Sequence, residues 1–135
     1  MYLLDTNILL ELLLEQEHCG DVERRFAVVP ADQLFITDFS LYSIGIILFR
    51  RQLGSVLVRM VEDLLLEADV HLVRLSPADI RQVERTASRF QLDFDDACQY
   101  VAAQEYDLTL VSFDSDFDRT ERGRKTPAEI LATPR

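Results

Sequence analysis

The sequence predicts an α/β fold in which a parallel sheet is covered by helices on both faces. Three observations carry that prediction. Compact apolar runs at Tyr2-Leu3-Leu4, Leu34-Phe35-Ile36-Thr37 and Leu108-Thr109-Leu110-Val111-Ser112 recur between stretches of helical character, with an alternating run from Val70 to Leu75 as a fourth strand. The compact runs lack the strict apolar–polar alternation of a strand with one wet face, so they read as strands buried on both sides. Three of the strands also run directly into acids: Asp5 after the first, Asp38 after the second, and Asp114 with Asp116 after the last.

Each helix has its own local warrant. Ile8 to Glu17 is leucine-rich beyond what one core-facing stripe needs, and a cap at Thr6 or Asn7 would start it. Gly20 interrupts the pattern, and Asp21 to Val28 reads as a second helix ending before Pro30. Phe39 to Phe49 is apolar on nearly every side; its length and a cap at Asp38 or Ser40 favour a buried helix over a strand. Ser55 to Ala68 follows as another helix. Ser76-Pro77-Ala78-Asp79 supplies a cap, a proline in the first turn and an acid near the positive end of the dipole, opening a helix to about Phe90. Leu92 to Ala97 opens the next, which continues to about Glu105, and Thr126-Pro127-Ala128-Glu129 has capping-box spacing for a short last one. No repeat, low-complexity tract or linker divides the chain, so residues 1–135 form a single domain.

Composition narrows the function classes. The chain carries 24 acidic against 14 basic residues, a net charge of −10 that opposes broad attraction to nucleic acid but leaves room for a local site. Every basic residue except Lys125 is an arginine or histidine, and arginine suits bidentate contacts to carboxylate or phosphate. Cys19 and Cys98 have no partner at metal-ligand spacing, and His18 beside Cys19 is not followed by a second pair, which argues against zinc and for free thiols in the cytoplasm. No apolar run is long enough to cross a bilayer.

The acids point to a chemistry. In an open parallel sheet ligands bind outside the carboxyl ends of the strands, which is where Asp5, Asp38, Asp114 and Asp116 would stand. Asp96, in the first turn of the helix before the last strand, can turn back to the same edge. A helix cap is the other reading of Asp5, and solvated turns or acid-rich helix starts are the other readings of Asp114–Asp118 and Asp93–Asp96. Crowded carboxylates resist ionisation unless a cation sits among them, and an oxygen-only donor set favours Mg²⁺ or Mn²⁺. A metal held so can activate water for displacement at phosphate.

Leu-Leu-Asp5-Thr6-Asn7-Ile-Leu-Leu at the amino terminus, Asp96-Ala97 opening a late helix, Leu-Val-Ser112-Phe-Asp114-Ser-Asp116-Phe117 after the last strand, and Thr126-Pro127 together resemble a PIN domain, and more narrowly the VapC-type toxins of bacterial and archaeal toxin–antitoxin pairs. The resemblance spans nearly the whole chain. It implies a three-layer α/β/α fold around a central parallel sheet of four or five strands, a homodimer, cleavage of RNA dependent on Mg²⁺ or Mn²⁺, and a small antitoxin protein that blocks the site. Residue by residue, Asp5, Asp96, Asp114 and Asp116 match the metal-binding and catalytic acids. Asn7 matches the polar neighbour of the first, and Ser112 a hydroxyl that orients Asp114. Asp93 and Asp95 read as a cap and a solvated neighbour.

One position departs from the pattern. The helix after the second strand should carry a glutamate within Thr-x-x-Glu, and Ser40-Leu41-Tyr42-Ser43 places Ser43 there; no acid occurs between Asp38 and Glu62. A serine is a poor Mg²⁺ ligand beside carboxylates. A PIN-like module that binds RNA or protein without turnover is therefore the alternative to a nuclease. Phosphotransfer fits less well: Asn7 stands where a haloacid-dehalogenase-like phosphatase needs a second Asp, and Lys125 is not at a strand end as a receiver domain requires. Arg119, Arg122, Arg124 and Lys125, directly after the acidic turn, are the candidate RNA-binding residues, with local salt bridging as the competing reading. Arg81, Arg85 and Arg89 form a stripe that reads as a solvated face. Phe113 and Tyr42 read as core.

Overall fold

The computed structural model describes residues 1–17 and 19–130, so His18 and the chain after residue 130 lie outside the described residues. Four short strands, β1 (Tyr2–Leu4), β2 (Leu34–Thr37), β3 (His71–Val73) and β4 (Thr109–Val111), pair in parallel in the order β3-β2-β1-β4. Around them lie α1 (Thr6–Leu13), α2 (Cys19–Phe26), α3 (Asp38–Arg50), α4 (Gly54–Met60), α5 (Ile80–Phe90), α6 (Phe94–Glu105) and α7 (Pro127–Ile130). The expected three-layer α/β/α arrangement is thus present, with four strands among the described residues.

Alternation along each strand builds two cores, because successive side chains leave opposite faces. Leu3, Leu110 and Val73 face α5 and α6, where they pack with Val83, Tyr100, Val101 and Phe117. Leu4, Val111, Leu34 and Ile36 face the other way, toward Ile8, Leu9, Val22, Ile44 and Leu48. Helix α6 is buried over seven consecutive residues from Ala97 to Ala103. Its alanines let the backbone lie close to the sheet.

Several boundaries differ from expectation for physical reasons. Helix α1 starts at Thr6 and ends at Leu13, because the cap is Asp5 itself, whose carboxylate accepts from Thr6 N at 2.8 Å. Helix α3 is capped by Thr37, whose hydroxyl accepts from Ser40 N at 3.0 Å; Asp38 is its first residue and Ser40 lies in its first turn, so neither is the cap. The run expected as one helix from Ser55 to Ala68 winds as α4 and then as a π-helix over Val61–Glu67. The strand expected from Val70 to Leu75 forms ladder pairs only over His71–Val73. Tyr42 is 68% exposed and Phe113 is 37% exposed, so neither is core.

The topology also decides where a crevice opens. Connections from β1 to β2 to β3 step one way across the sheet, and β4 returns to the other side of β1. The switch point, where ligand crevices form in such sheets, therefore lies at the carboxyl ends of β1 and β4. Asp5, Ser112 and Asp114 stand there.

Candidate metal centre

Two chain segments build the floor of the crevice. Asp5, at the end of β1, is 5% exposed. Its Oδ2 accepts from Ser112 Oγ at 2.7 Å, and its Oδ1 accepts from Thr6 N and from Gln99 Nε2 at 3.0 Å. Ser112, fully buried just after β4, uses its hydroxyl completely: besides donating to Asp5 it accepts from Asp114 N at 2.9 Å and from Asn7 Nδ2 at 3.2 Å. Asn7 Oδ1 in turn accepts from Phe113 N at 3.4 Å. Asn7 thus ties α1 to the segment after β4, and Ser112 sets the direction of that segment relative to Asp5.

Above this floor the chain turns twice. Asp114 Oδ1 accepts from Asp116 N at 2.8 Å, closing a side-chain turn that opens the 3₁₀ segment Ser115–Arg119. Phe117, fully buried, plugs that segment into the core beside α6. Asp96 projects from the first turn of α6. Carboxylate oxygens of Asp96, Asp114 and Asp116 consequently lie within 4.8 Å of one another, and those of Asp93, Asp95 and Asp96 form a second, more exposed group. Asp5 is not in the first group, but its charge reaches both Asp114 and Asp96.

This crowding has an electrostatic cost. Burial, followed by the charges of Asp114, Asp95 and Asp5 and a hydrogen bond with Asp114, pushes the Asp96 carboxyl up to about 7. Burial also raises Asp5, although hydrogen bonds from Ser112, Gln99 and Thr6 favour its charged form. Both acids hold protons in the folded chain at pH values where an unfolded chain, titrating near 3.9, has lost them. The folded state then binds more protons than the unfolded one, so stability is greatest below about pH 4 for these groups and falls as the pH climbs toward about 7. In chelator, the wild-type melting temperature should therefore drop more between pH 5 and 7.5 than that of Asp96→Asn, and Mn²⁺ at pH 7.5 should restore it. Parallel declines in both proteins would show that Asp96 is not the strained group.

The remaining expected site residues fall in distinct places. Asp38 accepts from Phe39 N at 2.9 Å and lines a separate cavity with Phe39, Tyr42, Arg74 and Phe94, because β2 lies on the far side of β1 from the switch point. Ser43 is half-buried on α3, one turn beyond Ser40, and adds no charge to the acid group. The basic loop is largely folded onto itself. Arg119 reaches Gln91 O at 2.8 Å and Asp116 at 3.6 Å; Arg122 binds Asp107 and Leu108 O, each at 3.1 Å; Arg124 binds Asp118 at 3.1 Å and Ser112 O at 3.0 Å. The backbone of Lys125 pairs with Leu110 and Ser112 as a short extension of the sheet edge. Arg81, Arg85 and Arg89 are exposed, Arg89 pairing with Glu121. Among the described residues no arginine pairs with Asp5, Asp96 or Asp114.

Gln99 was missed by the sequence reading. Its signal was present as a lone amide in the otherwise small or apolar stretch from Ala97 to Ala103, where a polar side chain needs internal partners.

Fold and crevice together define a three-layer α/β/α protein with an acid-lined switch point. The PIN domain family model matches residues 2–123, and the chain belongs to that family. No curated protein matches it in sequence. Among solved structures it is similar to a toxin–antitoxin complex from Klebsiella pneumoniae, with 20% identity, 94% of this chain and 98% of the other covered, and a TM-score of 0.72. VapC20 of Mycobacterium tuberculosis, described as a toxin that cleaves the sarcin–ricin loop, is 19% identical over 87% of this chain and 93% of its own, with a TM-score of 0.74. PAE2754 from Pyrobaculum aerophilum is 20% identical over 98% and 96%, with a TM-score of 0.69. At these identities the structural likeness speaks to the fold.

Proposed function

We propose that the chain is a metal-dependent endoribonuclease of the toxin kind. The observation that carries this reading is the group formed by Asp96, Asp114 and Asp116 at the switch point, with Asp5 buried behind it. The donor set fits Mg²⁺ or Mn²⁺: it is oxygen-only, it is left uncompensated at Asp96 and Asp114 by any arginine among the described residues, and Asp96 is already driven toward protonation by its neighbours. Asp96, Asp114 and Asp116 would hold the ion together with Asp5, through the one oxygen position its hydrogen bonds leave open. When bound, such an ion supplies Lewis-acid polarisation of a phosphoryl oxygen and acidifies a water for in-line attack.

The chain's own residues do the rest. Ser112 and Asn7 hold Asp5 and the Asp114 backbone in one register. The side-chain turn at Asp114 sets Asp116, and Arg119, in loose contact with Asp116, is placed to exchange that exposed carboxylate for an RNA phosphate. Arg124 and Lys125 stand beside the carboxyl end of β4 and would extend the phosphate track, while Arg122 is held at the amino end of that strand.

A small antitoxin protein is the partner this reading implies, in line with the toxin–antitoxin complex among the similar structures. A homodimer has a face to form on: Tyr42, Ile46 and Phe49 project from α3 as an exposed apolar strip. Asp38 and Arg74 line the cavity that adjoins this strip. No helix of the described residues is long and apolar enough to cross a membrane, and Cys19 and Cys98 are free thiols, which accords with a reducing cytoplasm.

Ser43 supports a second reading, a PIN-like module that binds RNA or protein with turnover weakened. The test is cleavage of structured RNA in Mn²⁺ and in chelator by wild type and Ser43→Glu. A nuclease short of one carboxylate cleaves in Mn²⁺, stops in chelator, and gains from the added acid by up to about 10²- to 10³-fold, the range that one preorganised group supplies. Cleavage that appears only in Ser43→Glu would favour the module that has lost turnover at this position, and absence of cleavage in both proteins would weigh against a merely disabled nuclease.

A further inference from the structure

We infer that Gln99 is the positioning residue that orients Asp5 toward the acid group, an assignment that rests on the nuclease reading above. Gln99 is 1% exposed, and both polar atoms of its carboxamide have partners. Nε2 donates to Asp5 Oδ1 at 3.0 Å and to Ser40 Oγ at 2.7 Å, while Oε1 accepts from Thr37 Oγ1 at 2.8 Å.

The polarity of this network is set at both ends. Asp5 Oδ1 already accepts from Thr6 N, so the amide must turn its nitrogen toward it. Thr37 Oγ1 already accepts from Ser40 N, which leaves its hydrogen for Oε1 of Gln99. Ser40 Oγ receives from Gln99 and finds a further partner in Thr6 Oγ1 at 2.8 Å. One uncharged side chain thereby locks the start of α1, the start of α3 and the middle of α6 into a single register. That register survives without the glutamate expected at Ser43, because it runs through Ser40, one turn earlier.

The consequence falls on Asp5. A carboxylate offers about four lone-pair positions. Oδ1 spends its pair on Thr6 N and Gln99 Nε2, and Oδ2 spends one on Ser112 Oγ. A single acceptor position on Oδ2 remains. Gln99 therefore fixes which oxygen of Asp5 is open and where it points. Removing its N–H would free Oδ1 and let the carboxylate turn between Thr6 and Ser112.

Gln99→Met keeps the length of the side chain and removes both donors. Thr37→Val is the second variant: it leaves Gln99 in place but takes away the hydroxyl that sets which way its amide faces. Mn²⁺ affinity is measured by calorimetry on the full chain, alongside melting temperature and cleavage kinetics. Gln99→Met should bind Mn²⁺ about 10- to 100-fold more weakly, the usual effect of losing a group that orients a metal-binding carboxylate. Its kcat should fall with KM for RNA unchanged, and Thr37→Val should shift Mn²⁺ affinity in the same direction by less. A lower melting temperature with wild-type Mn²⁺ affinity in both variants would overturn the assignment, since a merely structural amide would behave so. Failure of the wild type to bind Mn²⁺ or cleave RNA would instead remove the nuclease reading, and the assignment with it.

Discussion

Asp114→Asn is expected to abolish Mn²⁺-dependent RNA cleavage, by about 100-fold at least, while making the metal-free protein more stable at neutral pH. The two effects have one cause. Asp114 lies close enough to Asp96 to share a hydrogen bond with it, and its charge is the largest contribution after burial to the raised Asp96 carboxyl. Asparagine keeps the side chain's size and an oxygen able to accept from Asp116 N, so the turn at Ser115–Arg119 is retained. What is lost is the charge. A preorganised group aimed at developing charge is worth about 10²- to 10³-fold in rate. Relief of repulsion should meanwhile lower the Asp96 pKa and raise the melting temperature in chelator at pH 7.5. Gain of stability with loss of activity is the pattern of a site strained for function. A variant that lost stability and kept its activity would mean that Asp114 is only a turn residue.

Phe117→Ala should cost about 3–5 kcal/mol, the range for deleting a buried aromatic ring. For a chain of this length that corresponds to a fall of roughly 10–20 °C in melting temperature. Phe117 is fully buried against the α6 core, and its backbone carbonyl accepts from Thr120 N and Thr120 Oγ1. The ring therefore anchors the short 3₁₀ segment that carries Asp116. Without it, the segment keeps only its turn hydrogen bonds, and Asp116 loses its fixed distance from Asp96 and Asp114. Thermal unfolding combined with Mn²⁺ titration separates the two consequences. A drop of less than about 1 kcal/mol would show that the core collapses around the gap.

The same residues show how much of the molecule could be read from its sequence. Strand β2 was legible to the residue because Leu34–Thr37 is a short apolar run between turn signals, and the strand ends at Asp5 and Asp114 followed from apolar runs stopping at acids. The parallel three-layer arrangement followed from strands alternating with helices. Strand order was not legible, and that is why Asp38 was grouped with the other acids: nothing local says that β2 lies on the opposite side of β1 from β4. Polar contacts between distant positions were equally hidden. Gln99 meets Asp5 across 94 positions of sequence, and periodicity describes only the faces of one element at a time. The cap of α3 moved by one residue to Thr37, whose hydroxyl serves both its helix and Gln99, whereas Asp5 fills both of the places its sequence allowed, helix cap and site acid.

Diffraction from crystals grown with Mn²⁺, collected at a wavelength where manganese scatters anomalously, probes the shared-ion proposal most directly. An anomalous peak within about 2.0–2.3 Å of carboxylate oxygens from Asp96, Asp114 and Asp116, the span expected for hard divalent ions, is the result this account predicts. Absence of any peak among them at millimolar Mn²⁺ and pH 7.5, with Asp96 and Asp114 still paired through a shared proton, would contradict it.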